Sequence, residues 1–307
     1  MKNFDVYLYG MVLRTNSFLL HGKFPQSDTY NEIKEKYFLP GGETGVAAII
    51  LSSLGCRVKM DGNHIGYNLA DTIKNFYTGI NVDISSLYFD RDYDGLEDYI
   101  IIDGETRTAF GTFSSFYESC FNEKIVRWNT PCEEDIKQAK AAAIDPFFGE
   151  ESELAARLCV KNSVPFVTVD LKYDNEICHN ASVIAVSSEY IQENYSAYCD
   201  AEGKNRLMRT YMEKTDALVI FTGGSRTTLY GRKGEIKQIP SYKVDVVSTL
   251  GAGDTFKAGC VYGLLQNWND DKIVSFAAAC AAVACTRFPL PLHPPKLEEV
   301  LSLTEKS

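Results

Sequence analysis

The chain alternates between short β-branched or apolar runs and longer stretches whose apolar residues fit a buried or one-sided helix. Strands are predicted at residues 57–60, 142–145, 165–171, 182–186 and 217–222, and the run at residues 6–13, which Gly10 interrupts, is predicted as a buried strand that enters a loop. Helices are predicted at residues 44–54, 152–161, 189–198 and 254–266. Strands that alternate with helices predict a mostly parallel, doubly wound sheet with helices on both faces, which is the α/β class.

One stretch departs from this alternation. Two β-prone runs meet at Asp103-Gly104, a dipeptide that is typical of tight hairpin turns. We therefore expect a small antiparallel flap at about residues 85–115. No internal repeat or linker is visible, so the flap is predicted as an insertion in a single domain that covers residues 1–307.

Composition and charge narrow the class of function. The chain has 41 acidic and 31 basic residues, and its formal net charge of −10 disfavours nucleic-acid binding. No apolar run reaches the roughly 20 residues that a membrane span needs, and the first residues lack the pattern of an export signal. We expect a cytoplasmic protein without a membrane partner. The histidines and cysteines form no metal-ligand pattern, so no metal site is predicted from them.

Residues 244–265 carry the strongest chemical signal. A β-branched run leads into Gly251-Ala252-Gly253-Asp254, which open into an apolar helix. The backbone N–H groups at a helix N-terminus bind anions, and glycine permits positive φ and lets a phosphate approach the main chain. A carboxylate repels a phosphate unless it has another task, and Asp254 is suited to remove a proton from an incoming hydroxyl. The alternative is that Asp254 only caps the helix.

Two segments resemble the signatures of the PfkB (ribokinase-like) family of carbohydrate kinases. Residues 249–256, Thr-Leu-Gly-Ala-Gly-Asp-Thr-Phe, are similar to the second signature, and the segment from Gly41-Gly42 to Leu54-Gly55 is similar to the first. Their order and spacing agree with the family over nearly the whole chain. The resemblance implies a doubly wound α/β fold with a small β lid. It also implies ATP and Mg²⁺ as cofactors and a sugar hydroxyl as the acceptor.

The resemblance also implies roles for individual residues. The implied anion hole consists of Gly251, Ala252 and Gly253, with Asp254 as the base. The implied nucleotide contacts are Thr222, Gly223, Gly224, Thr249 and Ser187. The implied sugar contacts are Gly41, Gly42, Glu43 and Arg107, the last of which belongs to the lid that closes over the sugar. An ordinary strand-to-loop turn is the alternative for residues 222–224.

Four positions depart from the family's pattern. No acidic residue follows the first strand near Thr15, and Val46 stands where the first signature has asparagine. Ser187-Ser-Glu189-Tyr190 replaces the family's Asn-x-x-Glu motif, and Ser248 replaces an aspartate. The departures leave open a nucleoside kinase of the same superfamily and a sugar-binding regulator that has lost turnover. A homodimer formed through the lid and a requirement for a monovalent cation such as K⁺ also stay open.

Glu43 bears on the class of acceptor. In family members that bind a phosphorylated sugar, a basic residue often follows the two glycines. A carboxylate at this place would repel a phosphate and accept hydrogen bonds from free hydroxyls, so an unphosphorylated sugar is predicted. Two readings oppose this prediction: Arg14 or Arg107 could neutralise a phosphate, and Glu43 could be a solvated glutamate stabilised by the helix dipole.

Overall fold

A computed structural model describes residues 2–103 and 106–305. In chain order the strands are β1 (Val6–Gly10), β2 (Leu13–Leu20), β3 (Ile33–Gly41), β4 (Val58–Gly62), β5 (Ile65–Gly66), β6 (Val82–Asp83), β7 (Phe89–Asp90), β8 (Glu97–Ile102), β9 (Arg107–Gly111), β10 (Ala141–Ile144), β11 (Phe166–Val169), β12 (Val183–Val186), β13 (Leu218–Phe221), β14 (Thr228–Arg232) and β15 (Glu235–Ile239).

The helices are α1 (Glu43–Ser53), α2 (Tyr67–Tyr77), α3 (Phe113–Glu123), α4 (Glu133–Lys137), α5 (Glu150–Lys161), α6 (Glu176–Asn180), α7 (Ser188–Asn194), α8 (Ala201–Lys214), α9 (Ala252–Leu265), α10 (Asp270–Cys285) and α11 (Leu297–Glu305). Short 3₁₀ turns lie at Pro146–Phe148, Ser196–Tyr198 and Leu290–Leu292. In the part of the chain that the structure describes, no helix has the length and apolar character needed to cross a membrane.

The large sheet has the strand order β15-β14-β13-β12-β11-β10-β1-β4-β6 within the described residues. The strands from β13 to β6 run parallel, and β14 and β15 form an antiparallel edge. Every residue of β1, β10, β12 and β13 is buried. Strands of this kind need cover on both faces of the sheet, which the helices supply.

The core is divided between the two faces of this sheet. Successive side chains of a strand point to opposite faces, and β1 follows this rule. Val6 and Leu8 pack with residues of α1, α9 and α10, whereas Tyr7 and Tyr9 pack with residues of α5 and α8. The prediction of a doubly wound, mostly parallel α/β sheet is therefore confirmed.

A second, smaller sheet has the strand order β3-β2-β8-β9. Strands β8 and β9 are antiparallel and come from the segment where the flap was predicted, but Gly104 of the predicted Asp103-Gly104 turn lies outside the described residues. Strands β2 and β3 were not predicted, so the small sheet is not only an insertion at residues 85–115. Four consecutive polar residues, Arg14 to Ser17, interrupt the apolar residues of β2, so the sequence shows no clear strand pattern there.

The chain passes from the large sheet to the small sheet at Met11 and Val12, within the run of residues 6–13 that was predicted as a strand broken by Gly10 and entering a loop. The N–H of Met11 donates to Asp145 Oδ2 (3.2 Å), and its carbonyl accepts from the N–H of Thr44 (3.0 Å). Asn63 binds both backbone groups of Val12, at 2.7 and 2.9 Å. These partners replace the ladder bonds that a continuous strand would have made.

Two predicted helices differ at their ends. The helix predicted at residues 189–198 stops at Asn194 and is followed by the 3₁₀ turn at Ser196–Tyr198. The helix predicted to begin at Asp254 begins two residues earlier, at Ala252. This earlier start decides how the glycine-rich turn presents its N–H groups.

Candidate active site

The turn before α9 places free N–H groups at the start of a helix. Gly251 is the N-cap residue in the left-handed conformation, with φ of 77°, and a Cβ there would lie 2.6 Å from Leu290 Cδ2. The first helical bond runs from Thr255 N to Gly251 O (2.9 Å), so the N–H groups of Gly253 and Asp254 have no intrahelical acceptor. The turn therefore has the geometry that the anion-site prediction requires.

Gly253, unlike Gly251, is not required to be glycine by its backbone conformation or by a neighbouring atom. It is exposed within the first turn of α9, has no positive φ, and a Cβ there would meet no described atom within 4 Å. The expectation that both glycines supply a special backbone conformation is therefore wrong for Gly253. The open space in front of it is the remaining physical reason for the absence of a side chain.

Asp254 is the third residue of α9, and no side chain caps this helix, so the capping alternative does not describe its position. Its carboxyl group is half-buried in the wall of a cavity. Burial raises the pKa of Asp254, the Lys257 ammonium acts in the opposite direction, and the Asp145 carboxylate raises it further. A raised pKa makes the Asp254 carboxylate a stronger base than an exposed aspartate.

A cavity of about 120 Å³ joins the two glycine motifs. Gly251 and Asp254 line one end, and Gly41, Gly42 and Glu43 line the other. Further walls come from the small sheet and from the segment after α10; they are Leu13, Thr15, Ser17, Leu39, Asp98, Pro289 and Leu290. The structure thus brings five of the predicted site residues to one cavity, although the motifs lie far apart in sequence.

The glycine pair of the first motif is also required by packing. Gly42 has φ of 81°, and a Cβ there would lie 2.5 Å from the Met11 carbonyl oxygen. A Cβ on Gly41 would overlap the Thr15 hydroxyl. Gly41 therefore lets β3 approach β2 closely, and Gly42 lets the start of α1 approach the connection before β2, whatever either contributes to substrate binding.

Glu43 is not the solvated glutamate that one alternative described. It is the first residue of α1, is half-buried and lines the cavity. Burial raises the pKa of Glu43, and the nearby Asp254 carboxylate raises it further. This shift favours the protonated form, so Glu43 is not a fixed negative charge and does not exclude a phosphorylated sugar by repulsion.

A fully buried ion pair lies beneath both motifs. Lys257 Nζ donates to Asp145 Oδ1 (2.6 Å), and the Thr44 hydroxyl donates to Asp145 Oδ2 (2.8 Å). Lys257 follows Asp254 by one helical turn, and Thr44 follows Glu43 directly. A Cβ on Gly10 would overlap the Asp145 carboxylate, so this glycine makes room for the pair. Sequence reasoning missed both charges, although a lysine within an apolar helix was a visible signal.

The predicted nucleotide contacts lie outside this cavity. Gly223 belongs to a tight turn in which Arg226 N donates to Gly223 O (3.0 Å), and a Cβ on Gly223 would overlap the Thr227 carbonyl. Gly224 has φ of 60° with open space around its Cα. Thr222 accepts a hydrogen bond from Ser188 Oγ (2.7 Å) through its carbonyl. The alternative of an ordinary turn therefore accounts for the two glycines without a ligand.

Ser187 has structural partners of its own. Its hydroxyl caps α7 by accepting from Tyr190 N (3.0 Å), and it donates to Asp170 Oδ2 (3.0 Å). The N–H of Ser187 donates to Asp170 Oδ1 (2.6 Å). Burial raises the pKa of Asp170, and the Asp170 carboxylate in turn raises the pKa of Asp254.

Arg107 connects the small sheet to the catalytic turn. Its guanidinium Nη1 donates to the carbonyl oxygen (3.1 Å) and the hydroxyl (3.2 Å) of Thr249. It lies outside the lining of the cavity, so the structure brings Arg107 to the turn rather than to the predicted sugar side. Arg107 also lowers the pKa of Asp254. Within residues 2–103 and 106–305, no cluster of three or more His, Cys, Asp or Glu is arranged to hold a metal ion.

Comparison with known proteins agrees with this fold. The nucleoside kinase of Methanocaldococcus jannaschii, an archaeal member of the ribokinase family, superposes with a TM-score of 0.77 at 19% identity, over 100% of this chain and 99% of that chain. The ribokinase of Haemophilus influenzae is 23% identical over 273 residues, which are 86% of this chain and 87% of the relative. The fold is therefore ribokinase-like.

The 5-dehydro-2-deoxygluconokinase of Bacillus subtilis is 27% identical over 124 residues, which are 40% of this chain and only 37% of that relative. The sequence profile of the pfkB family carbohydrate kinases matches residues 19–290. The chain therefore belongs to the pfkB family of carbohydrate kinases, and the resemblance of its two glycine motifs to that family is confirmed.

Proposed function

We propose that the protein is an ATP-dependent kinase that transfers the γ-phosphoryl group to a hydroxyl of a small, unphosphorylated sugar. The observation that carries the proposal is the position of Asp254. This half-buried carboxyl group lines the same cavity as the glycine pair of the first motif and follows the free N–H groups of α9. A base and an anion site that face one cavity fit transfer of a phosphoryl group to a hydroxyl.

In the proposed reaction the acceptor hydroxyl attacks the γ-phosphorus and gives its proton to Asp254 Oδ. The bond from the γ-phosphorus to the bridging oxygen breaks, and ADP leaves with that electron pair. The N–H groups of Gly251 and Gly253 would bind the charge that develops on the transferred group. The N–H of Ala252 donates to the Thr249 carbonyl oxygen (3.3 Å) and would join them by exchanging this acceptor for the phosphoryl group. Mg²⁺, when bound with ATP, would neutralise the phosphate oxygens. A proton held by Glu43 would keep Asp254 ionised and ready to act as the base.

The rest of the nucleotide is proposed to lie over the ends of β12 and β13. Thr222, Gly223, Gly224, Thr249 and Ser187 are the residues proposed for this contact. The open space at Gly224 supports this contact. The Ser187 hydroxyl already donates to Asp170, so Ser187 would contribute by shaping this part of the site. Arg107, which contacts Thr249, would couple the small sheet to the nucleotide side of the site.

The lining of the cavity supports an unphosphorylated acceptor. Neither lysine nor arginine is among the described residues that line it, whereas the acidic residues Asp98 and Asp254 are. Arg14, which was considered as a phosphate partner, donates to Glu97 (2.7 Å) instead. A nucleoside is the second candidate, because Phe113 lines the cavity and could stack on a base.

An acceptor panel tests the proposal. ATP consumption and product formation would be measured with ribose, 5-dehydro-2-deoxygluconate and inosine, and with the phosphorylated form of each. We expect turnover with a free sugar and a preference of at least tenfold over its phosphorylated partner. Preference for inosine would favour the nucleoside kinase. Sugar binding without turnover would identify a regulator and would overturn the proposal.

Three further properties belong to this proposal: a cytoplasmic location, a rate that depends on K⁺, and a homodimer formed through the small sheet. The dimer is supported by the face of that sheet opposite the cavity, where Phe38, Tyr99 and Phe110 are 48%, 44% and 52% exposed. Exposed aromatic side chains on neighbouring strands are typical of interaction surfaces. Light scattering of the protein and of Phe110→Ser tests the dimer, which the variant should weaken.

A further inference from the structure

The small sheet supplies a carboxylate at the place where the sequence lacked one. Thr15 on β2 lies directly opposite Asp98 on β8, which is the neighbouring strand in the same sheet. Residues opposite each other in register point to the same face, and both of these side chains line the cavity. The acidic group missing near Thr15 in the sequence is therefore present in space, on a strand more than 80 residues further along the chain.

The carboxyl group of Asp98 lacks one hydrogen-bond donor. Asp98 lines the cavity, and its Oδ1 is buried without a hydrogen-bond partner among the described residues. Buried polar atoms in native proteins are nearly always hydrogen-bonded, so this carboxyl group needs a further donor, and a ligand hydroxyl in the adjoining cavity would supply it. Burial raises the pKa of Asp98 to about 6, while a hydrogen bond with Thr15 lowers it and the Asp254 carboxylate raises it. At neutral pH the group is mostly ionised and accepts hydrogen bonds.

We propose that Asp98, supported by Thr15, determines acceptor specificity by accepting a hydrogen bond from a sugar hydroxyl other than the one that is phosphorylated. The inference rests on the proposed kinase function. The acceptor would then lie between two carboxyl groups on different sheets. Asp254, on α9 over the large sheet, takes the proton of the reacting hydroxyl, and Asp98, on the small sheet, selects a second hydroxyl.

The chemistry of the cavity favours a hydroxyl as the partner of Asp98. The only charged groups that line the cavity among the described residues are acidic, so a phosphate or carboxylate of the substrate would meet no cation there. Ser17, which is almost fully buried, lies two residues from Thr15 on the same face of β2 and adds a second hydroxyl to this wall. Neutral donors and acceptors of this kind match the edge of a polyol.

The test measures kcat/KM for the best acceptor and for its monodeoxy analogues, with the wild-type protein, Asp98→Asn and Asp98→Ala. With wild type we expect one monodeoxy analogue to lose kcat/KM by about 10- to 100-fold, the range for a hydrogen bond to a charged group. Asp98→Ala should lose the same factor with the parent sugar and should no longer distinguish the parent from that analogue. Asp98→Asn should lie between the two, because its amide oxygen still accepts a hydrogen bond.

Asp92→Asn is the matched control, because it removes one exposed carboxylate from the connection before β8 and lines no part of the cavity. It should leave the acceptor profile unchanged. The KM for ATP should be unchanged in the Asp98 variants, which a general disturbance of the fold would not allow. The inference is overturned if Asp98→Ala lowers kcat/KM equally for every analogue or leaves the parent unaffected. If wild type phosphorylates no sugar, the kinase proposal fails first and the inference falls with it.

Discussion

The two ends of the cavity are built in different ways. The end proposed for phosphoryl transfer comes from one continuous segment, residues 249–257, in which a turn and the first helical turn supply every group. The acceptor end comes from β2, β3, the start of α1, β8 and residues 289–291. The difference shows that the proposed chemistry is encoded locally, whereas acceptor selection depends on strands that meet only in the folded protein.

A buried carboxylate beneath the cavity also connects its two ends. Asp145 binds Lys257 on the phosphoryl side and Thr44 on the acceptor side, and it is fully buried. A change in this pair should disturb both ends together, while a change in either wall should disturb one. The four predictions that follow use this distinction.

The largest effect is expected at the phosphoryl end. Asp254→Asn removes the proposed base and keeps the shape of the turn, so kcat should fall about 10²- to 10⁴-fold. The free energy of unfolding should change little, because the side chain caps no helix. Steady-state kinetics and urea unfolding would be measured together. A variant that keeps more than a third of the wild-type kcat would show that Asp254 is not the base.

The next effect is on stability. Asp145→Ala leaves the Lys257 ammonium buried without its partner, so the free energy of unfolding should fall by about 3–5 kcal/mol. The double variant Asp145→Asn with Lys257→Met contains no buried charge and should recover most of this loss. Chemical denaturation of the two variants decides the matter. If Asp145→Ala and the double variant were equally stable, the unpaired buried ammonium would not be the cause of the lost stability.

Gly253→Ala should separate catalysis from folding. The helical conformation at Gly253 accepts alanine, so the free energy of unfolding should stay the same or rise by up to about 1 kcal/mol. The methyl group would occupy the space proposed for phosphate, and kcat/KM for ATP should fall about 100-fold. Gly251→Ala is the matched control, since its φ of 77° and the Leu290 contact predict a loss of stability as well. Unchanged kinetics in a folded Gly253→Ala would remove the anion site from the proposal.

The smallest effect sharpens the acceptor end. The pKa of Asp98 is raised to about 6, so its carboxylate form is present above that pH and is lost as the pH falls through it. Between pH 7.5 and 5 the KM for the acceptor should rise about tenfold, and this rise should be absent in Asp98→Asn. The Asp254 and Glu97 carboxylates are the charged groups that raise the pKa of Asp98. Protonation of Asp254 should lower kcat in both proteins and so does not obscure the comparison.

The sequence predicted the local half of the site well and the distributed half poorly. The turn at residues 251–254 was predicted because strand, glycines and helix follow one another, and only the first residue of α9 was misplaced. Asp98 was missed because its partner Thr15 is reached only through the pairing of β2 with β8, two strands of mixed polarity. Asp145 lay at the end of a correctly predicted strand, but nothing in the sequence indicated that Lys257 lies against it.

The crossing at Met11 and Val12 has a mechanical consequence. The hydrogen bonds that Met11 and Val12 form with Asp145, Thr44 and Asn63 fix the backbone where the chain leaves the large sheet for the small one. Hinge motions need residues whose φ and ψ can change, and these two are held too firmly to do so. The small sheet is therefore fixed to the large sheet at this point and cannot turn about it. Opening of the cavity would come from bending along β2 and β3, largest at their far ends and smallest beside Gly42.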